Sequence, residues 1–220
     1  YPKDCQRKIS KLCKKHDILF VLDEIATGFG RLGSMVQYKE QKSIPDIVAY
    51  GKMLTGGYLT MAATLSSKKI YDSFSGEFNQ WKHLFHGHTY TGNPIAASVA
   101  NQNILMYEKY NLIKKIQKTS KIFSQYYDDI SAIDIVGDIR HKGMLMGIEL
   151  VSNKKKKIPI QTKKSINKVF FEEGKKNGIY LRTLGNIVML VPPLSIEENE
   201  LELLLKKTIK TIQAAKSHII

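Results

Sequence analysis

The feature that most constrains the fold is a set of three short, predominantly apolar runs within the first 65 residues. Runs of this length and composition are typical of strands covered on both faces of a parallel sheet. Helical segments at 67–74 and 93–107 alternate with these runs, which favours an α/β domain with a mostly parallel sheet. The predicted strands are residues 18–22 (ILFVL), 47–50 (IVAY) and 61–65 (MAATL).

The sequence pattern changes at about residue 109. Apolar residues at helical spacing predict a long amphipathic helix over 110–130, and short apolar runs after it predict strands. We therefore expect two domains, an α/β part over 1–108 and a smaller α+β domain over 109–220. The other predicted elements are a surface helix at 3–16, strands at 134–139, 144–151, 179–182 and 187–191, and helices at 162–177 and 197–213.

The chain is strongly basic, since 34 lysines and arginines against 20 acidic residues give a net charge of +14. A charge of this size is often the mark of a nucleic-acid-binding protein. Here the excess is lysine scattered along predicted helices, and arginine, the better reader of phosphates and bases, occurs only four times. Solvated lysine-rich helix faces explain the charge better, so no nucleic-acid partner is expected.

Three further features concern the location and the form of the chain. No apolar stretch approaches the roughly 20 residues of a membrane helix, so no membrane association is expected. Cys5 and Cys13 are too few for a disulfide framework, and a reducing cytoplasm is the expected location. The sequence opens on Tyr1 within a helical pattern, which we interpret as a fragment of a longer protein.

Asp23 directly follows the first apolar run, at the end of the strand where ligands bind in open parallel sheets. Its position leaves three uses open: a carboxylate for a metal or magnesium nucleotide, a partner for a cationic heterocycle, or a solvated strand end. The nucleotide option requires the phosphate loop G-x-x-x-x-G-K-[ST]. At Gly51-Lys52 the next residue is methionine, and the expected first glycine is Asp46, which weakens that option.

Lys52 differs from the many surface lysines because it lies between an apolar strand and the Gly56-Gly57 turn. Burial there would favour the neutral amine, and only a neutral amine attacks a carbonyl carbon. Lys52 is therefore a candidate nucleophile for Schiff-base chemistry.

Two other segments carry candidate binding groups. Residues 86–94 (HGHTYTGNP) lead into a predicted helix, and hydroxyls and amides ahead of a helix suit a phosphate. The two histidines of this segment lack a third ligand at metal-site spacing, so no metal is expected. Arg182 ends an apolar strand, and its planar fork matches a carboxylate, although an ordinary surface ion pair explains it more simply.

Taken together, these segments resemble the fold-type I, class III family of pyridoxal-phosphate aminotransferases. The likeness extends over nearly all 220 residues. It implies that 1–108 is the C-terminal part of a large cofactor-binding domain and that 109–220 is the small C-terminal domain. The resemblance is carried by residues 22–31 (LDEIATGFGR) and 51–57 (GKMLTGG), with 58–64, 86–94 and 181–193 in support.

The resemblance implies how the cofactor, pyridoxal 5′-phosphate, would be bound. Lys52 would bond to its aldehyde and shuttle a proton during transfer, while Asp23 would pair with its ring nitrogen. Thr89, together with the backbone at His88, would contact the cofactor phosphate of a second subunit. A homodimer is therefore expected.

The resemblance also implies the substrates. The motifs are most similar to the branch of the class that converts 8-amino-7-oxononanoate to 7,8-diaminononanoate in biotin biosynthesis, with S-adenosylmethionine or lysine as amino donor. Gly87 would lie against the small-molecule substrate, and Arg182 would hold its carboxylate. The alternative is another class III ω-aminotransferase with a different amine and ketone. The family's upstream half, with its phosphate loop and aromatic pocket walls, is absent from these residues.

Overall fold

A computed structural model describes residue 2 and residues 4–220 and divides the chain into two compact units, Tyr1–Leu112 and Ile113–Ile220. The sequence placed this boundary at 108/109. Both units combine helices with strands, and the mixed α/β class predicted for the chain is confirmed. Within the described residues, no helix is both long enough and apolar enough to cross a membrane.

The first unit contains a three-stranded sheet in the order β1-β2-β3. Strands β1 and β2 are parallel, as predicted, whereas β3 runs antiparallel to β2. Parallel neighbours need a long crossover, usually a helix, and the 12 residues between β2 and β3 contain only one short 3-10 turn. The strands are β1 (Val21–Asp23), β2 (Ile47–Tyr50) and β3 (Ala63–Ser66).

The first strand differs from its prediction in length and in burial. Residues 18–22 were expected to form a strand covered on both faces, but β1 begins at Val21, which is 56% exposed. Ile18 and Leu19 are also more than half exposed. β1 is an edge strand of the described sheet, and of residues 18–22 only Phe20 is buried and Leu22 half-buried.

The helices of the first unit flank the sheet strands in sequence. The predicted helix 3–16 begins at a residue outside the described part of the chain, and its described portion is α1. The helix before the unit boundary, α4, starts with proline at its first turn, a position that proline favours. The helices are α1 (Cys5–Lys15), α2 (Gln37–Glu40), α3 (Lys68–Ser73) and α4 (Pro94–Lys109), with 3-10 turns at Lys52–Thr55 and Phe78–Gln80.

The second unit contains an antiparallel sheet in the order β4-β5-β8-β7, with β6 paired to β5. The predicted helix over 110–130 is interrupted, and the hydroxyl of Ser120 donates to the carbonyl of Gln117 at one interruption. The elements are α5 (Leu112–Thr119), α6 (Ile122–Gln125), α7 (Tyr127–Ser131), β4 (Val136–Lys142), β5 (Leu145–Asn153), β6 (Ile158–Pro159), α8 (Ile166–Lys176), β7 (Arg182–Leu184), β8 (Ile187–Leu190) and α9 (Glu198–Ile219).

The core of the second unit forms where helices cover one face of this sheet. Helix α9 contributes a stripe at helical spacing that includes the fully buried Leu201, Leu205 and Ile212. Phe170 of α8 and Phe123 of α6 join the same apolar cluster. The predicted apolar periodicity therefore identified which helix faces are buried.

Candidate active site

The carboxyl ends of β1 and β2 bring two predicted residues to one edge of the sheet. Asp23 is the last residue of β1 and lies opposite Ala49 of the parallel strand β2. Lys52 follows the end of β2 by two residues. Adjacent strands lie about 4.8 Å apart, so the acid and the amine leave the sheet at the same edge. Their chemical roles stay predictions.

Two neighbouring carboxylates at the end of β1 have different environments. Asp23 is exposed, and its Oδ1 accepts a hydrogen bond from the N–H of Ile25 at 2.9 Å. Glu24 is 2% exposed, and its oxygens accept hydrogen bonds from the backbone N–H groups of Gln37 and Tyr38 at 2.9 to 3.0 Å. Glu24 therefore fastens the following loop to the strand, while Asp23 remains accessible to a ligand.

Lys52 opens a 3-10 turn in the left-handed region, with φ of 44°. This conformation is uncommon for a residue with a side chain and is unfavourable by about 1–3 kcal/mol unless its surroundings hold it. The side chain is exposed and lines a cavity. The expectation that Lys52 would be buried is therefore wrong for this chain, because the end of β2 opens onto the cavity and not into a core.

The cavity beside Lys52 belongs wholly to the first unit and has a volume of about 640 Å³. This size falls within the range of about 300–1,000 Å³ usual for small-molecule sites. Its walls combine the amine with apolar side chains, hydroxyls and an imidazole, contributed among others by Ile25, Thr60, Met61, His88 and Thr91. The cavity thus has the mixed lining of a binding site.

The loop ahead of α4 presents His88 to this cavity. The His88 N–H donates to Thr91 Oγ1 at 2.9 Å, and the Thr91 N–H donates back to the His88 carbonyl at 2.9 Å. The two bonds close a tight turn. Gly87 and Thr89 are exposed and do not line the cavity, so their contacts with substrate and with a second subunit stay predictions.

The N-terminus of α4 is capped by the protein itself. Asn93 Oδ1 accepts hydrogen bonds from the N–H groups of Ile95 and Ala96, at 2.9 Å and 3.2 Å. The sequence predicted that a phosphate would bind hydroxyls and amides ahead of the helix, and these two donors lie within it. Because the cap engages both of them, a phosphate at this end of the helix would depend on the loop residues before Asn93.

Arg182 was predicted to end a strand over 179–182, but it is the first residue of β7 in the second unit, where it is paired with Met189 of β8. Its side chain is exposed, and so is able to meet a carboxylate. Its proposed contact with substrate stays a prediction.

A buried polar cluster that the sequence did not reveal supports the loop after β1. The hydroxyl of Tyr107 donates to the Phe29 carbonyl at 2.8 Å, and burial raises the pKa of Tyr107 to about 12. Burial also raises the pKa of Tyr50, whose ring packs edge-on against Phe29, and lowers the pKa of Arg31. Both phenols therefore stay protonated to a higher pH than an exposed tyrosine would.

The residues at this edge fit the predicted cofactor, an aromatic aldehyde phosphate. Lys52 offers a primary amine and Asp23 a carboxylate for a cationic ring nitrogen. Gly51 keeps space open beside Ile25, since an added Cβ at position 51 would meet the Ile25 side chain at 3.3 Å. The apolar surface of Ile25 lines the cavity beside the amine and suits the face of an aromatic ring.

Comparison with known proteins decides the family. The model of the aminotransferase class-III family matches residues 1–212. The chain belongs to the class-III aminotransferase family. This membership confirms the predicted family and, with it, the predicted cofactor, pyridoxal 5′-phosphate.

Individual relatives of this class-III chain agree with the assignment. An adenosylmethionine-8-amino-7-oxononanoate aminotransferase from Methanocaldococcus jannaschii is 44% identical over 205 residues, which cover 91% of this chain and 44% of that protein. The crystal structure of the enzyme of that name from the same organism has a TM-score of 0.91 at 42% identity and covers 97% of this chain and 50% of its own.

A second solved structure is an ω-transaminase from Pseudomonas jessenii in complex with PMP. It has a TM-score of 0.92 at 27% identity, and the match covers 99% of this chain and 48% of that one. The class-III chain thus spans about half the length of the relatives that it matches.

Proposed function

We propose that this chain provides the lysine-bearing part of an aminotransferase that aminates 8-amino-7-oxononanoate to 7,8-diaminononanoate in biotin biosynthesis. The observation that carries the proposal is that Lys52 lines a cavity of about 640 Å³ just after β2, while Asp23, which does not line this cavity, ends the neighbouring parallel strand β1. The names of several relatives support the substrate, and family membership supports the cofactor.

Pyridoxal 5′-phosphate, when bound, supplies an electron sink for negative charge that develops on the substrate carbon. Lys52 Nζ would hold its aldehyde carbon. When it is not bonded to the cofactor, the Lys52 amine would act as the base that takes a proton from the substrate carbon and then as the acid that returns it. The left-handed turn sets where this amine leaves the backbone.

Asp23 would keep the ring nitrogen protonated through a charge-assisted hydrogen bond. The Ile25 N–H bond to Asp23 Oδ1 fixes the orientation of the carboxylate before any ligand arrives. Glu24 holds the loop that follows and so keeps Ile25 at the cavity wall. Acid and amine would thereby act on one ring from neighbouring strands.

The remaining parts of the proposal concern the assembled enzyme. It would be a cytoplasmic homodimer in which Thr89, with the backbone at His88, contacts the partner's cofactor phosphate. Gly87 would lie against the substrate, and Arg182 would hold the substrate carboxylate. The donor would be S-adenosylmethionine, or lysine as in some members of the branch.

A second candidate is an ω-aminotransferase acting on other amines and ketones. It is favoured by the close structural likeness to the ω-transaminase from Pseudomonas jessenii, which has the same fold at lower sequence identity. Assays with each donor against 8-amino-7-oxononanoate and against simple aldehydes distinguish the two candidates.

The lysine assignment is tested by trapping pyridoxal 5′-phosphate with borohydride and mapping the modified lysine by mass spectrometry. In the protein expressed from its full coding sequence, Lys52 is expected to carry the label, and Lys52→Arg to lose both label and turnover. The matched control is Lys42→Arg, because Lys42 is also exposed and left-handed, with φ of 51°, but does not line the cavity. Normal turnover in Lys52→Arg would refute the proposal.

A further inference from the structure

Asn103 lies on α4 and bonds to the turn that carries Lys52. Its Nδ2 donates hydrogen bonds to the main-chain carbonyls of Met53 and Leu54, at 2.7 Å and 3.2 Å. These are the two residues that follow Lys52 in the 3-10 turn. The side chain therefore joins α4 to the turn across about fifty residues of sequence.

The turn adopts a conformation that needs support from outside. Both its first residue, Lys52, and the glycine that ends it, Gly56, have positive φ angles of 44° and 63°. Glycine adopts this region freely, whereas lysine does so under strain. The turn's own backbone bonds, from Leu54 N–H to Gly51 and from Gly56 N–H to Met53, have the poorer geometry of 3-10 structure.

The fit between Asn103 and the turn is close. An added Cβ at Gly56 would meet Asn103 Oδ1 at 3.1 Å, so the amide packs against the glycine as well as bonding to the carbonyls before it. Asparagine is a poor residue for a helix interior, because its side chain competes for backbone groups. Its place within α4 is explained by the contact it makes with the turn.

Helix α4 also forms part of the cavity wall. Ala96, in its first turns, lines the cavity together with its N-cap, Asn93. Asn103 lies seven residues beyond Ala96, which is about 10 Å along a helix. One rigid element thus contacts the cavity at its start and the Lys52 turn further along.

We propose that Asn103 is a positioning residue for Lys52: it holds the carbonyls of Met53 and Leu54 and so keeps the strained turn that directs the amine into the cavity. This inference rests on the role proposed for Lys52. It assigns to α4 the task of fixing the distance between the lysine and the loop that contains His88.

The test compares Asn103→Leu, which keeps the size and removes the donors, with Asn101→Leu, an exposed position on the same helix. In the protein expressed from its full coding sequence, the probe is pyridoxal 5′-phosphate with borohydride, and the initial rate of Lys52 labelling is measured relative to the other lysines. Loss of two hydrogen bonds is expected to slow labelling about tenfold in Asn103→Leu. The Asn101 variant should label like the unchanged protein.

A second measurement does not depend on the cofactor. Amide hydrogen exchange at Leu54 and Gly56, whose N–H groups close the turn, should become faster in Asn103→Leu and stay unchanged in Asn101→Leu. Asn103→Thr, which keeps one hydroxyl donor, should fall between the two in both measurements. It carries the test if the leucine variant does not fold.

The outcomes separate the two proposals. Exchange and labelling that match the unchanged protein in both Asn103 variants would overturn the positioning role and leave the function proposed for Lys52 intact. Absence of Lys52 labelling in the unchanged protein would refute that function. In that case, faster exchange in the Asn103 variants would still show that Asn103 holds the turn, and unchanged exchange would overturn the inference as well.

Discussion

His141 shows how a single side chain on β4 senses its surroundings. The ring lies half-buried between Phe123 of α6 and Tyr127 of α7, and its cross-strand neighbour on β5 is Met146. Its Nδ1 lies 2.5 Å from the Tyr127 hydroxyl. Burial lowers the pKa of His141 below its ordinary value, and burial raises the pKa of the Tyr127 phenol. The packed fold therefore favours the neutral imidazole.

This environment predicts a pH dependence of stability. In the unfolded chain His141 becomes protonated near pH 6.5, whereas in the folded chain it becomes protonated only at a lower pH. The contribution to stability is therefore fully present above about pH 6.5 and is lost as the pH falls towards the folded-state pKa of His141. In urea unfolding between pH 5 and pH 8, the free energy of unfolding should fall less towards acid pH in His141→Gln than in the unchanged protein.

The control for this pH dependence is His16→Gln, since His16 is exposed. It should follow the unchanged protein at every pH. Parallel acid loss in His141→Gln and in the unchanged protein would contradict the assignment of the effect to His141.

At the scale of single residues, the sequence identified the candidate site residues that lie at the end of a predicted strand. Asp23 and Lys52 could be singled out because each follows a short apolar run, and the structure places both at one sheet edge. Glu24 and Asn103 could not, because their roles depend on partners 13 or more residues away in sequence. Nothing in the sequence marks Glu24 as a buried carboxylate or Asn103 as a residue that contacts a distant turn, so their roles can be recognised only from the structure.

At the scale of elements, apolar periodicity predicted whether a segment is a helix or a strand. It did not predict where a helix is interrupted or in which direction a strand runs. The apolar stripe predicted over 110–130 exists, but three short helices carry it, because the backbone pattern breaks around Ser120 and again at Tyr126. Strand β3 was predicted as a strand, but its antiparallel direction depends on the connection before it and not on its own residues. Periodicity records which face is buried and does not record where a helix breaks.

Helix α8 allows a prediction in which packing overrides helix propensity. Alanine for glycine within a helix normally stabilises it by about 1 kcal/mol. At Gly174 an added Cβ would meet the carbonyl oxygen of Ile179 at 2.9 Å. The Ile179 backbone cannot easily move away, because its N–H donates a hydrogen bond to the Gly174 carbonyl. Gly174→Ala should therefore lower the free energy of unfolding by about 1–3 kcal/mol in urea titrations.

The neighbouring Lys175 provides the matched control, because it is exposed on the same turn of α8. Lys175→Ala should change the free energy of unfolding by no more than about 0.5 kcal/mol. Stabilisation by Gly174→Ala would mean that α8 does not pack against the following strand as closely as the structure places it.

At the scale of the whole molecule, motifs predicted the family and burial was the harder problem. Whether residues 18–22 are covered depends on what lies across from them, and in the described sheet β1 is an edge strand. Large apolar side chains such as Phe78 and Trp81 are likewise exposed in the first unit. The motif residues, by contrast, are local in sequence, so a chain about half as long as its relatives still identifies its family.

The proposed substrate makes Arg182 the residue whose effect should depend on the assembled enzyme. If Arg182 holds a carboxylate, Arg182→Ala should raise the KM for 8-amino-7-oxononanoate by about 10- to 100-fold, the range expected for a lost charged hydrogen bond. The donor half-reaction should change by less than about threefold, and so should turnover of an aldehyde acceptor without a carboxylate. Steady-state and half-reaction kinetics on the protein expressed from its full coding sequence measure all three.

Arg140→Ala is the matched arginine control, because Arg140 already pairs with Asp138 and Glu149 on the same sheet and is exposed. Its KM values should stay close to those of the unchanged protein. An equal rise of KM for both acceptors in Arg182→Ala would indicate a general loss of structure, and an unchanged KM would remove Arg182 from the substrate site. An unchanged KM would favour the ω-aminotransferase alternative, because Arg182 would then not bind the substrate carboxylate.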